Sequence, residues 1–215
     1  KHSVVDTIVD EYNNGDVDLH QMAADLAGIS RKEAKVVNLG IMYGMGVGKL
    51  SNQLDISKDE AKDILELYND KVPFVKQIAT IASQRATTEG QIRTILGRRC
   101  RFHLWEPRTF GYNKAMPLAE AEKEYGGLGM LRRAFTYKAL NKLIQGSAAD
   151  QTKKAMVDCY AENFTPMLTV HDELCFSVQN EEQAKRITEI METGLPLNVP
   201  TRVDCEMGDN WGEAG

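Results

Sequence analysis

Apolar residues recur at helical spacing along the first 90 residues, and this spacing predicts four helices. The first helix covers about 16–28. The second and third each open with a Ser-x-x-Glu capping box, at 30–33 and 57–60, in which both side chains bind backbone N–H groups. The second helix ends near residue 43, where alternating glycines follow, and the fourth helix begins at Pro73.

Past residue 90 the periodicity weakens and then returns. The region 90–129 holds prolines, glycines and an arginine cluster, and we interpret it as strand-like pieces joined by loops. A single long helix is predicted over 131–163. Its only interior glycine, Gly146, indicates a bend or the close approach of another helix, because Gly is otherwise unfavourable inside a helix.

The last fifty residues have strand character. Two β-type runs within 167–178 flank the charged sequence HDE, which predicts a hairpin with charged residues at its tip. A helix over 181–193 and a strand over 200–206 close the chain. The predicted fold class is therefore α+β, with a mostly helical first part followed by a β-hairpin or antiparallel sheet packed on long helices.

Composition restricts the class of protein. The chain has 215 residues, of which 42% are hydrophobic and 27% charged, as in folded globular proteins. No window approaches the length of apolar sequence that crosses a bilayer, so we expect no membrane partner. The four cysteines are scattered without a CxxC pair, which disfavours a zinc site and favours reduced thiols in the cytoplasm.

The distribution of charge matters more than its sum. A net charge of −5 argues against nucleic acid as a partner. The acidic residues, however, concentrate near the two ends, whereas basic residues cluster at 93–101 and 132–154. A local basic surface can bind phosphates whatever the net charge, although such runs also occur as ordinary solvated helix faces.

The helix that begins at Ser30 carries four residues spaced one turn apart, Arg31, Lys35, Leu39 and Tyr43. Two cations near the start of a helix interact unfavourably with the helix dipole and lower the stability of the helix, which suggests that they have another use. An arginine fork and a lysine point charge one turn apart could hold a triphosphate. The alternative is a solvated helix face.

The glycine-rich run GMGVGK at 44–49 invites comparison with a phosphate-binding P-loop. That motif needs Gly where Tyr43 stands, and it needs a preceding strand, which the pattern does not predict. We interpret the glycines as a helix end followed by a turn.

Two further groups of polar residues suggest binding chemistry. Tyr137, Asn141 and Gln145 repeat every four residues on the long helix, and amides can pair with base edges or sugars. At the hairpin tip, Asp172 and Glu173 repel each other unless a divalent cation such as Mg²⁺ offsets their charge. Exposed polar residues and a soluble turn are the respective alternatives.

Taken in order, these segments resemble the polymerase domain of family A DNA polymerases, the family of bacterial DNA polymerase I and related phage replicative enzymes. The resemblance covers nearly the whole chain. Residues 31–44 resemble motif B on the fingers O helix, 140–150 the long palm helix and 170–173 motif C. Shorter matches are the Asp-x-His element at 18–20, the GRR strand at 97–99 and the DNW end at 209–211.

The resemblance implies a role for each residue of the nucleotide site. Arg31, Lys35 and His20 would bind the triphosphate of an incoming dNTP, and Lys35 would also protonate the leaving pyrophosphate. Leu39 would lie against the sugar, where the family usually has Phe or Tyr, so sugar discrimination is expected to differ. Tyr43 would stack near the templating position.

The resemblance also implies the metal and DNA contacts. Asp172 would be one of two aspartates that hold two Mg²⁺ ions, and Glu173 would support it. Tyr137 stands where bacterial relatives carry an Arg, so one DNA contact is expected to differ. The implied DNA-binding residues are His171 at the primer terminus, Arg132 on the backbone, and Asn141 and Gln145 in the minor groove.

The expected protein is thus a DNA-directed DNA polymerase, a nucleotidyltransferase, with a fingers subdomain over 1–130 and part of the palm over 131–215. Motif A, which carries the second aspartate, is expected upstream of Lys1 on an N-terminal remainder of the polymerase. We therefore expect this chain alone to be inactive, in a bacterial or phage-infected cytoplasm. The alternatives are a nucleic-acid-binding module without chemistry, one chain of a split polymerase, or a single-subunit RNA polymerase. The LNKLIQGSAAD segment favours a DNA polymerase over the RNA polymerase.

Overall fold

The structure is a computed structural model. It describes residues 6, 9–10, 13–14, 18, 20–21, 24–25, 28–42, 44–71, 73–109, 111 and 113–214, without the side chains of residues 41, 42, 71 and 74. Most of the predicted helix 16–28 lies outside the described residues. Of its described members, residues 20, 21, 24 and 25 are helical, whereas residues 18 and 28 are not.

Seven α-helices and seven β-strands have bounds within the described residues. The helices are α1 Arg31–Met42, α2 Val47–Leu54, α3 Lys58–Lys71, α4 Pro73–Thr88, α5 Leu118–Tyr125, α6 Ala139–Ala161 and α7 Glu181–Thr193. The strands are β1 Gln91–Arg93, β2 Arg99–Arg101, β3 Leu104–Pro107, β4 Met116–Pro117, β5 Leu131–Arg133, β6 Pro166–Val170 and β7 Glu173–Phe176. The α+β fold class is confirmed.

By its internal contacts the chain divides into two compact units. One is Asp18–Gly146, and the other joins Lys1–Val17 with Ser147–Gly215.

Both predicted capping boxes are present. The Glu33 carboxylate accepts hydrogen bonds from the backbone N–H of Ser30 at 2.9 Å and from its hydroxyl at 2.6 Å. The backbone N–H of Glu33 in turn donates to the Ser30 Oγ at 3.3 Å. Ser57 and Glu60 repeat these contacts at the start of α3. Reciprocal capping therefore fixes where α1 and α3 begin.

The core of the first unit lies among α1, α2, α3 and α4. Its fully buried members include Ala34 and Val37 from α1, Leu50 from α2 and Ala61 from α3. α2 was not predicted, although Leu50 belongs to a short apolar face of this helix. The glycine-rich segment follows α1 and not a strand, so it is not a P-loop. The predicted turn covers only its first residues, because Gly46 is the N-cap of α2 and residues 47–49 form the first turn of that helix.

The region 90–129 contains the predicted strands. β1 and β2 form an antiparallel hairpin, and β4, β3 and β5 form a three-stranded antiparallel sheet. The helix α5 was missed. The prediction of one helix from residue 131 was also wrong at its start, because Leu131–Arg133 pairs with β3 and the helix begins only at Ala139.

Gly146 marks a close approach, but to the β1–β2 connection and not to another helix. A Cβ added at Gly146 would lie 2.6 Å from the Cγ2 of Thr94, a side chain that is itself buried. The Arg98 guanidinium donates to the Gly146 carbonyl oxygen at 2.6 Å. The missing side chain therefore lets α6 and the basic hairpin pack together.

Gly146→Ala is expected to lower the free energy of unfolding by about 1–3 kcal/mol, because Thr94 is short, β-branched and unable to move aside cheaply. Gly48→Ala is the control, since nothing lies within 4 Å of a Cβ there, and it should stabilise α2 by up to about 1 kcal/mol. Urea unfolding of the two variants measures the difference. Equal stability of both variants would contradict the close approach.

The second unit contains the predicted hairpin. β6 and β7 pair antiparallel, and Phe176 of β7 packs with Cys159 of α6 and Ile187 of α7. The helix over 181–193 is confirmed. The predicted strand over 200–206 is wrong, because no described residue in that range joins a ladder.

One face of the second unit is apolar and open. Val157, Tyr160, Met167 and Leu168 are all exposed, and they line an open cavity of about 420 Å³ beside β6.

Among the described residues, none of the helices combines the length and the apolar character that a membrane span needs.

Candidate functional site

The helix α1 turns its predicted cation stripe toward solvent. Ala34 and Val37 are buried in the core, whereas Arg31, Lys35 and Leu39 are exposed. The last residue of the predicted stripe, Tyr43, lies outside the described residues. The capping box and the buried face together fix the rotation of the helix, so the two cations are accessible to a ligand.

Arg31 forms an ion pair that the local sequence pattern does not indicate. Its Nε lies 2.7 Å from the Asp18 Oδ2, and both side chains are substantially exposed. The other Asp18 oxygen accepts from the backbone N–H groups of His20 and Gln21, each at 2.9 Å. The hydrogen bond from Arg31 is the main reason that the pKa of Asp18 is lowered. The guanidinium thus already binds an oxyanion, through one N–H group to one carboxylate oxygen.

Asp18→Asn, which keeps a capping oxygen, is expected to lower the thermal midpoint slightly at neutral pH. The lowered pKa means that folding favours the ionised carboxyl, so its contribution is present above the ordinary value of 3.8 and is lost as pH falls through the lowered pKa. Melting curves of both proteins from neutral to acidic pH should therefore converge in acid. A gap that widens in acid would contradict the ion pair.

His20 is attached to α1 through a buried polar residue. The Nδ2 of Asn38 lies 3.2 Å from the Nδ1 of His20, and the Tyr68 hydroxyl donates to the Asn38 Oδ1. Asn38 and Tyr68 are 2% and 4% exposed, whereas His20 is half-buried. The structure therefore brings His20 to the helix that carries Arg31 and Lys35. Lys35 itself has no ion-pair partner among the residues that the structure describes.

The charged hairpin tip is a two-residue turn. Val170 pairs with Glu173 across the ladder, which leaves His171 and Asp172 in the turn. His171 has a φ of 55°, in the left-handed region that a turn of this kind requires. Asp172 is exposed, so its carboxylate is accessible to a ligand.

Glu173 has two neighbours within the second unit. The Cys175 Sγ lies 3.3 Å from its Oε1, and the Trp211 Nε1 lies 3.5 Å from the same atom. The pKa of the Cys175 thiol is raised, mainly by partial burial and in second place by the contact with Glu173. The contact from Trp211 joins the DNW segment to the hairpin, which no local pattern could have indicated.

The residues at the tip offer carboxylate oxygens, the ligands that Mg²⁺ prefers. No group of three His, Cys, Asp or Glu side chains that could hold a metal ion occurs in the described part of the chain. Asp172 fits as one metal ligand, and a complete set would need ligands beyond the two carboxylates at the tip.

The predicted amides lie on α6, and the tyrosine does not. Asn141 is half-buried and Gln145 is exposed, one turn apart. Tyr137 lies in the 3-10 turn Thr136–Lys138 just before the helix, where its side chain is 67% exposed. The Lys138 Nζ lies 5.6 Å from the Tyr137 ring centroid.

Two arginines make contacts that the sequence does not indicate. The Arg132 Nε forms an ion pair with the Glu106 Oε1 at 2.9 Å, across the β3–β5 ladder, while about half of its side chain stays exposed. Arg98, which was not predicted as a site residue, donates to Gly146 beside Gln145. With Arg93, Arg99 and Arg101 it forms an exposed basic hairpin, which reaches α6 at Gly146.

Comparison with known proteins gives a consistent result. The sequence model of DNA polymerase family A matches residues 2–213. A DNA-directed DNA polymerase of Pseudomonas phage M6 is 35% identical over 95% of this chain and 33% of that protein. DNA polymerase I of Bacillus caldotenax is 33% identical over 93% of this chain and 23% of that protein.

A solved structure is also similar. The polymerase domain of Pol1 from M. smegmatis, in complex with DNA primer-template and dNTP, superposes with a TM-score of 0.74. It is 28% identical, over 96% of this chain and 36% of that one. The chain thus spans about a third or less of the length of these relatives. Because the family model covers nearly every residue, the chain belongs to the family A DNA polymerases.

Proposed function

We propose that this chain supplies the dNTP-binding surface and part of the catalytic site for template-directed DNA synthesis. The observation that carries the proposal is the exposed face of α1, on which Arg31 already binds a carboxylate and Lys35 is accessible. This arrangement has the charge and spacing that a triphosphate needs, and it occurs in a member of a polymerase family.

In this proposal the triphosphate replaces Asp18 on Arg31. The Arg31 guanidinium binds two phosphate oxygens, and the Lys35 ammonium binds a further one from the next turn of α1. His20, which lies beside α1, donates a hydrogen bond to the same triphosphate. Leu39, which is 39% exposed, contacts the sugar without an aromatic ring. Tyr43 is proposed to lie near the templating base.

The primer–template would lie along α6. Asn141 and Gln145 offer amides to base edges, and the exposed basic hairpin offers Arg98 to the phosphate backbone. Arg132 would also bind the DNA backbone, with a phosphate replacing Glu106 as the partner of its guanidinium. The basic surface supplies most of the affinity, so binding should weaken with salt.

The reaction is in-line attack of the primer 3′ hydroxyl on the α-phosphate of a dNTP, with pyrophosphate leaving. Asp172 is proposed as a ligand of Mg²⁺, which when bound supplies charge stabilisation to the attacking and leaving oxygens. Glu173, held by Trp211, supports the tip, and His171 contacts the primer terminus. Lys35 gives a proton to the pyrophosphate oxygen as it leaves.

A second metal-binding aspartate is proposed to come from outside this chain. This chain matches about a third of the length of the phage relative. We propose that motif A lies in a segment equivalent to part of the other two thirds, either on the same polypeptide or on a partner chain. The boundary between fingers and palm at residue 130 is part of this proposal.

The first test is binding of a fluorescent dNTP to the chain, followed by anisotropy. Arg31→Ala should weaken binding at least ~10-fold, as expected for loss of a charged hydrogen bond. Arg85→Ala, an exposed arginine at the end of α4, is the control and should bind normally. Equal affinity of both variants would overturn the triphosphate assignment. Primer extension by a polymerase that contains this chain distinguishes an enzyme from a binding module without chemistry.

A further inference from the structure

We propose that Tyr68 and Asn38 are positioning residues that hold the His20 ring with its Nε2–H directed away from α1, toward the triphosphate. The inference rests on the proposed function for the triphosphate itself. It adds two buried residues, from α3 and α1, that act on the nucleotide only through His20.

The contacts form a chain from the core to the edge of the site. The Tyr68 hydroxyl donates to the Asn38 Oδ1, and the Asn38 Nδ2 lies 3.2 Å from the His20 Nδ1. Tyr68 and Asn38 are both almost completely buried, so neither can touch a nucleotide directly. Only His20 is open to solvent on one side.

The chemistry of the three groups sets the direction of each hydrogen bond. A phenolic O–H donates more readily than it accepts, because its lone pairs delocalise into the ring, so the amide oxygen faces Tyr68. The amide nitrogen then faces His20, and because it can only donate, the His20 Nδ1 must accept. The proton of a neutral His20 ring therefore lies on Nε2.

This tautomer matters for an anion. A ring with Nε2–H donates a hydrogen bond to a phosphate oxygen, whereas a ring with its proton on Nδ1 would present a lone pair to it. The reversed amide, with its oxygen toward His20, would produce the second arrangement. Tyr68 therefore favours nucleotide binding by keeping the amide of Asn38 in its observed orientation.

The decisive measurement is the ¹⁵N NMR spectrum of the imidazole of His20, assigned with His20→Gln. The wild-type chain should show the Nε2–H form at a pH where the ring is neutral. Asn38→Asp, which is nearly isosteric but only accepts, should move the proton to Nδ1. A wild-type ring protonated on Nδ1 would overturn the inference, and so would an Asn38→Asp ring that keeps the wild-type tautomer.

Nucleotide affinity gives the second measurement. Tyr68→Phe should weaken binding of a fluorescent dNTP by ~3- to 10-fold, the usual worth of one hydrogen bond. In a His20→Ala background the same change should have no further effect, whereas a purely structural role would weaken binding equally in both backgrounds and overturn the inference. Tyr160→Phe, an exposed tyrosine on α6, is the matched control.

The two proposals fail in different ways. If the chain binds no dNTP at all, the proposed function fails, while the NMR spectrum still decides whether Asn38 sets the tautomer. If dNTP binds and Arg31→Ala weakens it, but Tyr68→Phe does not, the nucleotide site stands and the positioning role is overturned. Thermal unfolding of each variant checks that affinity is compared between folded proteins.

Discussion

Asp172→Asn is expected to slow primer extension by about 10³-fold or more in a polymerase that contains this chain and its N-terminal remainder. The change removes a negative charge from the hairpin tip while it keeps the size of the side chain. Because the carboxylate is exposed and lies in a two-residue turn, the variant should fold normally. In the proposed mechanism Asp172 is a ligand of the Mg²⁺ ion that stabilises the attacking and leaving oxygens, and loss of such a ligand costs orders of magnitude in rate.

The control for this result is Asp63→Asn, an exposed aspartate on α3 far along the chain from the hairpin. It should leave extension unchanged. Affinity for primer–template DNA, measured by anisotropy, should be similar in all three proteins. Unchanged extension by the Asp172 variant would refute its role as a metal ligand and would favour a binding module without chemistry.

Lys35→Ala is expected to give the second-largest loss, about 10²- to 10³-fold in the rate of nucleotide incorporation. The side chain is exposed on α1, one turn after Arg31, and the change removes both a phosphate-binding charge and the proposed proton donor. Single-turnover extension at saturating dNTP measures the chemical step, and its dNTP dependence gives the affinity.

Two further lysine variants sharpen the test. Lys35→Arg keeps the positive charge but cannot release a proton, so dNTP affinity should stay within a few-fold while the rate stays low. Lys49→Ala removes the lysine that a P-loop would use. It should have no effect, because Lys49 lies in the first turn of α2, which follows the helix α1 and not a strand. A larger loss from Lys49→Ala than from Lys35→Ala would contradict the assignment of the cation stripe.

The parts of the fold that could be predicted are those written in short stretches of sequence. Ser30 and Glu33 are three residues apart, and their reciprocal hydrogen bonds start α1 where the sequence indicates. The helix α7 matches its prediction because its apolar spacing and its Asn180 N-cap are equally local.

The errors fall where pairing between distant segments decides the structure. Leu131–Arg133 has a sequence that suits a helix, yet it becomes a strand because β3, some 25 residues earlier, offers a ladder. Residues 200–206 have strand character, but a strand exists only with a partner, and no described segment pairs with it. The local sequence pattern does not indicate whether a distant segment is available to pair with a strand.

The candidate site divides in the same way. The sequence located the cation stripe, because four-residue spacing is a property of α1 alone. It could not locate Asn38 and Tyr68, which are 18 and 30 residues from their partners in the hydrogen-bond chain. Likewise, Arg98 joins the site only because a missing Cβ at Gly146 lets its hairpin reach α6.

The open apolar face beside β6 bears on how this protein behaves in concentrated solution. β6 has one ladder neighbour, β7, and no described residue pairs with its other edge. Met167 and Leu168 of this strand are 70% and 44% exposed. Such an edge is a template on which a second chain can add a strand, and the surrounding apolar side chains reward that addition. Aggregation of the isolated chain would therefore begin at this strand, and a charged residue at position 167 is the substitution best placed to suppress it.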